Sequence, residues 1–513
     1  MTLANQPMAS DRDDARQWRA AIGITISATL VRLLFAARLP LFPDETYYWD
    51  WTRHLANGYF DHPPAIAYLI SAGTSLAAAL ALAPSAFVIR LFPVLAGSAA
   101  SLLAVMIARR LGGGAAARTA AIVFALMPLA ASGLVIATPD SPLLAMSAAG
   151  LYAVVRAMQS PRSSSQSLRW WTVAGVALGL AFSSKYTSIL LPVTITAAVL
   201  LRPSLRARLR EPGPYVACVV ATLVFLPVLQ WNAAHDWISF RFQIQHGLGT
   251  PKGSVIKREL DLIGGQLGLV SPIIFVLAAH AVWRTLRRPL DDARFALAVV
   301  AVGSWLFFAY SAMRRSVEAN WPAPSYVPGI ALLAALASTP ARDRWIRRGV
   351  MLAAVMVAVI YVHALVPILP LPARRDPVAR SAGWEGVAAR VDAARRAVTG
   401  RTWVGSDRYQ DVSELAYQLP EKPNAFCTCI TGRHNQYELW PTFSTSASLH
   451  DNLVLTLEET PGIHDTAARL TPYFDQVTRG DLAPLLRGRD TVDVRRIYVL
   501  EGYRGGWPAR VEP

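Results

Sequence analysis

Through the first 370 residues, apolar runs of about 18 to 25 positions alternate with short polar loops. Each run is long enough to cross the roughly 30 Å hydrocarbon core of a bilayer as a helix. The pattern predicts eleven membrane helices, at about 20–41, 86–108, 116–136, 141–158, two within 171–201, then 214–232, 262–283, 295–313, 323–339 and 349–370. Residues 171–201 are too long for one helix, and Ser183-Ser184-Lys185-Tyr186 divides them, with Lys185 in the turn. The first run is too long for a cleavable leader, and no small-residue cleavage site precedes Asp44. The loop at about 43–85 is only partly apolar and accommodates helices lying in the membrane plane. Beyond residue 371 no further spanning run occurs. There 381–398 has the pattern of an amphipathic helix, and 402–405, 452–456 and 496–500 read as short strands. The expected architecture is a polytopic α-helical membrane domain, 1–370, followed by a small α/β domain, 371–513.

Only 16% of the 513 residues are charged, against about 25% in soluble domains, and mean hydropathy is +0.32. The net charge of +16 could serve nucleic-acid binding, but its placement argues otherwise. Arginines cluster at 109–110, 156–169, 202–210, 284–294 and 342–348, in short loops between apolar runs. That is the bias of cytoplasmic loops, and the partner it implies is anionic lipid rather than DNA or RNA. With a cytoplasmic N-terminus all five clusters fall inside, and eleven crossings place the C-terminal domain on the extracytoplasmic side. Of the three cysteines, Cys218 lies in an apolar run. Cys427 and Cys429, two positions apart, are expected to be poorly placed for a mutual disulfide, and no second pair completes a zinc site.

In that orientation the unusual polar motifs gather on the outer face. Pro43-Asp44-Glu45-Thr46-Tyr47-Tyr48-Trp49 sets two adjacent carboxylates where the first helix leaves the bilayer. Ionised groups there are costly and tend to be kept for chemistry or ion binding. Asp44 can instead cap a helix over 45–55, although a cap requires neither Glu45 nor the Asp61-His62 pair downstream. The neighbouring aromatics suit an interfacial belt. His62, beside carboxylates, can ligate a divalent cation, act as acid or base, or be structural. Asp140, in Thr138-Pro139-Asp140-Ser141-Pro142, either caps the fourth helix or belongs to a site at the same membrane face. Lys185 runs against the positive-inside bias; it can snorkel, or hold a lipid-linked phosphate as a point charge. His235-Asp236, followed by Lys252, Lys257 and Arg258, are candidates for metal or phosphate contacts, or for capping. The run Met313-Arg314-Arg315-Ser316-Val317-Glu318-Ala319-Asn320-Trp321-Pro322 carries two arginines whose forks match phosphate oxygens. Carboxylates with separated cations suit a reaction in which an acceptor is deprotonated or positioned while a phosphate leaves. The sequence has no P-loop, no Gly-rich dinucleotide motif and no nucleophile elbow.

Six strings carry a resemblance: Asp44-Glu45, Tyr59-Phe60-Asp61-His62-Pro63-Pro64, Thr138-Pro139-Asp140, Ser184-Lys185-Tyr186, Glu318-Ala319-Asn320-Trp321-Pro322 and Asn435-Gln436-Tyr437-Glu438-Leu439-Trp440-Pro441. Together they resemble the bacterial ArnT-like branch of the protein mannosyltransferase (family 39) superfamily. The resemblance implies an integral membrane glycosyltransferase of the GT-C fold in the bacterial inner membrane. It implies a polyprenyl-phosphate sugar donor and transfer on the periplasmic side with inversion at the anomeric carbon. It carries the catalytic role to Asp44, Glu45 and Asp140, and donor-phosphate binding to Lys185 and Arg315. Asp61, His62, His235, Glu318 and Asn320 are carried over as acceptor or metal contacts, the metal being an optional divalent ion. The β-trefoil repeats of the eukaryotic mannosyltransferases and the tryptophan-rich acceptor motif of oligosaccharyltransferases have no counterpart here. The expected acceptor is therefore lipid A, lipopolysaccharide core or another envelope glycan, with transfer to protein as an alternative. A transporter or lipid-linked sugar flippase is a competing expectation, and it calls for midplane charges and an inverted repeat. A non-catalytic envelope scaffold is a third.

Overall fold

The computed structural model describes residues 9–251, 253–336, 339–459 and 466–511, so Lys252 lies outside the described residues. The chain divides into two compact units, Met1–Arg38 with Ala56–Val362, and Leu39–Leu55 with His363–Pro513. Sequence pattern alone groups the whole 43–85 loop with the membrane helices; in the structure its first part clusters with the C-terminal residues.

The membrane unit is helical throughout. Among the described residues six helices are long and apolar enough to span a bilayer: Asp11–Ala36, Ala86–Leu126, Asp140–Gln159, Gly213–Ala234, Asp292–Arg314 and Pro340–Leu365. Counted as one span each, two bent pairs, Tyr186–Leu201 with Pro203–Arg210 and Val255–Val270 with Pro272–Arg287, bring the number by length and composition up to eight. The predicted helices at 86–108 and 116–136 meet inside the 41-residue Ala86–Leu126 run, which breaks at Gly112-Gly113. Gly113 has φ +71°, a conformation that side chains with a Cβ disfavour. The helix expected at 262–283 is not continuous. It breaks after Val270 and turns by 102°, because Pro272 has no N–H to donate and bars its predecessor from helical geometry. The expected helix at 323–339 is shorter, Tyr326–Ala335, but most of its residues are buried. The centre of this unit is rich in small side chains, among them Ala104, Ala108, Ala117, Ala120, Ala148 and Ala331. Close backbone approach is how membrane helices gain packing when lipid competes for apolar contact.

The second unit has a five-stranded mixed sheet in the order β2-β1-β3-β5-β4. Its strands are β1 (Thr402–Ser406), β2 (Ala425–Cys427), β3 (Asn452–Glu458), β4 (Phe474–Arg487) and β5 (Asp490–Tyr503). β2 and β3 flank β1 in parallel, and β5 runs antiparallel to both β3 and β4. Leu453, Leu455, Leu500, Phe443 and Phe474 form its core. β4 escapes sequence reading because Gly480 and Pro484 interrupt it; both are tolerated since β4 is an edge strand. Cys427 and Cys429 form a disulfide, contrary to expectation. Cys429 takes φ +49° just after β2, which folds the short segment back and sets the Cα atoms 5.1 Å apart, within the usual range of roughly 4.4–6.8 Å.

Candidate active site

In the membrane unit, three residues distant in sequence converge. Asp140 is the first residue of the Asp140–Gln159 helix, where the helix dipole favours a carboxylate. It does not cap: the N-cap is Pro139, which makes no side-chain cap bond. Instead Lys185 Nζ donates to its Oδ1 at 2.8 Å, and Asn320 Nδ2 donates to its Oδ2 at 2.5 Å. Both partners of the ion pair are almost wholly buried. Lys185 occupies extended backbone between the Ser165–Phe182 helix and a short turn starting at Tyr186. That turn is held by buried Asn232, whose Nδ2 donates to the Tyr186 hydroxyl at 3.1 Å, and the hydroxyl donates onward to Ser239 at 3.0 Å. The Lys185 ammonium lies 5.9 Å from the centre of the Trp321 ring. An ammonium has three donors, and Asp140 takes one.

The other candidates of this unit divide. The Arg315 guanidinium lies against Gly249, where an added Cβ would meet it at 2.8 Å. Its Nε is buried without a hydrogen-bond partner among the described residues, and such a donor calls for an acceptor. Arg314 is spent on the Leu248 carbonyl at 3.0 Å. Asp61 is buried. Gln243, unmarked in the sequence, donates to the Asp61 carbonyl at 2.5 Å and lies 3.5 Å from His62 Nδ1. His235 stacks on Trp231 with ring centres 4.0 Å apart, and its Nδ1 is 2.8 Å from the Trp231 carbonyl, so it closes its own helix end. Glu318 is exposed on the turn before Asn320 and is not brought into the Asp140 cluster.

The second unit holds the acidic pair on the Pro43–Trp51 helix. The two carboxylates have separate fates. Glu45 is fully buried and accepts the Phe42 N–H at 3.0 Å, so it caps the helix. Asp44 is exposed and its Oδ1 accepts the Tyr409 hydroxyl at 3.2 Å. The Tyr409 ring packs on Tyr47 at 4.6 Å and under the Arg433 guanidinium at 4.3 Å. The Asn435–Pro441 motif explains itself here. Asn435 and Glu438 form a capping box, the Gln436 N–H donates to the Tyr47 hydroxyl at 2.7 Å, and the Tyr437 hydroxyl donates to Asp50 at 2.7 Å. Beneath the acidic helix lies Glu414, fully buried. Burial pushes its carboxyl well above the ordinary range, and the nearby Asp411 and Glu45 charges push the same way. Among the described residues no three His, Cys, Asp or Glu side chains are placed to hold a metal ion. The partners of Asp140 are a lysine and an amide N–H, which do not make a cation cradle.

The chain is similar to known proteins in sequence and in fold. The family model for dolichyl-phosphate-mannose-protein mannosyltransferases matches residues 61–231, which include Asp61, His62, Asp140 and Lys185. The crystal structure of ArnT from Cupriavidus metallidurans, bound to undecaprenyl phosphate, aligns with TM-score 0.64 at 17% identity, over 95% of this chain and 99% of that one. The chain has the GT-C fold. The same fold joins it to the Archaeoglobus fulgidus oligosaccharyltransferase AglB, with TM-score 0.52 at 11% identity over 85% of this chain and 69% of AglB. In sequence, it is 30% identical to the lipid A galacturonosyltransferase RgtD of Rhizobium johnstonii over 316 residues. That match spans 61% of this chain and 64% of RgtD. The chain is thus a polytopic membrane protein of GT-C type, resembling the ArnT-like enzymes over nearly its whole length.

Proposed function

We propose that this protein is a membrane glycosyltransferase that moves a sugar from a polyprenyl-phosphate donor to an envelope glycolipid, with lipid A as the favoured acceptor. The observation that carries it is the Asp140–Lys185–Asn320 trio, with Asp140 and Lys185 buried and the ammonium fixed in place with donors to spare. The undecaprenyl phosphate of the ArnT structure supports the donor class, and the lipid A acceptor of RgtD supports the acceptor class. The Cys427–Cys429 disulfide supports an oxidising, periplasmic setting for the C-terminal unit, in line with the inward bias of the arginine loops.

Lys185 and Arg315 hold the donor phosphate and stabilise the charge that gathers on it as it leaves. Asp44 accepts the proton of the acceptor hydroxyl. The hydroxyl oxygen attacks the anomeric carbon, the bond from that carbon to the phosphate oxygen breaks, and its electron pair stays with the polyprenyl phosphate. Attack opposite the leaving group inverts the anomeric centre.

The test is mass spectrometry of envelope lipids from a deletion strain, wild type and an Asp44→Asn complement. The expected result is loss of one sugar-sized mass from a glycolipid, restored by wild type and not by Asp44→Asn. An unchanged glycolipid profile, together with no turnover of polyprenyl-phosphate sugar by purified protein, overturns the proposal.

A further inference from the structure

The C-terminal unit contains a cavity of ≈ 120 Å³ whose lining includes Asp50, His54, Trp403, Asn424, Tyr437 and Trp440. One water needs on the order of 10–15 Å³, and drug-sized ligands fill pockets of roughly 300 Å³ or more. The space therefore suits one small ring.

Its walls are aromatic and fixed. Trp440 meets His54 at 4.5 Å and stands edge-on to Tyr437 at 5.4 Å. The indole N–H of Trp403 donates to Asp451 at 2.8 Å, which sets that ring's orientation. The floor is polar. Asp50 is buried, and its two oxygens accept the Tyr437 hydroxyl at 2.7 Å and Arg53 Nη1 at 3.0 Å. Each carboxylate oxygen retains a further acceptor position. Burial raises the Asp50 carboxyl, with Arg53, Tyr437 and His54 opposing. At the rim Asn424 is exposed; its side-chain oxygen accepts from Arg53, and its amide nitrogen carries two donors. The Thr442 and Ser446 side chains complete the lining. Cys427 is also part of the wall and is tied by its disulfide.

Flat aromatic faces with a few convergent carboxylate, amide and hydroxyl groups match a pyranose, which has apolar C–H faces and a rim of hydroxyl donors. An anionic ligand is disfavoured: no lysine or arginine is among the lining residues, Asp50 is, and the neighbouring Arg53 is already paired with Asp50. Asp44 and Asp50 lie six residues apart on the Pro43–Trp51 helix, about 9 Å along its axis at 1.5 Å per residue. We infer that this cavity is a saccharide subsite that takes one neutral hexopyranose of the acceptor glycan. Only the word acceptor rests on the transferase proposal; pyranose binding stands apart from it.

The experiment is saturation-transfer NMR on the full chain in nanodiscs. The probes are the methyl α- and β-pyranosides of glucose, galactose, mannose and N-acetylglucosamine. At least one probe should receive saturation at its ring protons. Trp440→Ala, and Ser446→Trp, which fills the space without removing an aromatic wall, should each weaken binding at least tenfold. Asp44→Asn should bind as wild type does, even if it transfers nothing. If glycolipid transfer fails but Trp440-dependent binding persists, the subsite stands and the transferase proposal falls. If no probe shows a signal sensitive to Trp440→Ala or Ser446→Trp, the subsite is overturned whatever the transfer assay gives.

Discussion

Two clusters of buried carboxylates, one in each unit, differ in how they are matched. In the membrane unit Asp140 is matched by a cation and an amide, contributed by residues 140, 185 and 320. In the C-terminal unit Glu45, Asp407, Asp411 and Glu414 are acids gathered together, and among these four Arg495 binds only Asp411, at 2.5 Å. For two of them burial favours the protonated form: Asp407 is pushed up to about 6, first by burial and then by Asp411, and burial raises Glu414 well above its ordinary value. Buried charge must be paired or neutralised. The difference matters for chemistry. A lysine paired once can still donate to an incoming anion, whereas a cluster of acids can shape its surroundings but offers a phosphate only repulsion or acceptor oxygens.

The largest expected effect comes from Asp44, the exposed member of the acidic pair. Asp44→Asn should lower glycosyl transfer by roughly 100-fold or more with the thermal unfolding profile unchanged, measured by release of polyprenyl phosphate. Lys185→Met tests pairing directly. It leaves Asp140 buried without its cation and should cost about 3–5 kcal/mol of stability. The double variant Lys185→Met with Asp140→Asn should recover most of that stability in detergent melts, and no donor turnover. Recovery of turnover would show that the ion pair serves the fold alone. Tyr409→Phe removes one hydrogen bond from Asp44, worth about 0.5–1.5 kcal/mol, and should slow transfer several-fold while leaving KM for the donor near wild type.

The smallest effect tests the proton-holding side. The folded-state value of Asp407, about 6, lies above the ordinary 3.8. The fold therefore binds this proton more tightly than the unfolded chain does, and its contribution is present below pH 3.8 and lost as pH rises toward 6. Asp407→Asn should accordingly raise Tm by a few degrees at pH 7.5 and by less at pH 4. A larger gain at pH 4 would mean that Asp407 is stabilised as the anion.

Much of the architecture was legible because it is local. Apolar runs set the helices, Ser183-Ser184 placed Lys185 in a turn, and alternation marked β1, β3 and β5. Where a local signal was ambiguous, reading went astray. By type Asp44 is an N-cap residue and Glu45 is not; the helix starts at Pro43, which places Glu45 at the third helical position, where it caps by accepting the Phe42 N–H. The disulfide between Cys427 and Cys429 depends on a left-handed residue that no neighbour announces. Gln243 and Tyr409 carry no signal of their own; their roles come from what folds beside them.

By itself the sequence determined that the chain carries membrane-spanning helices and which loops carry the arginines, since each follows from transfer free energies and short-range periodicity. The tertiary structure decided that Asp140 meets Lys185 and Asn320 across separations of 45 and 180 residues, and that the acidic helix belongs with the C-terminal sheet domain. Those pairings depend on loop closure and on packing over the whole chain, and no window of sequence contains both partners.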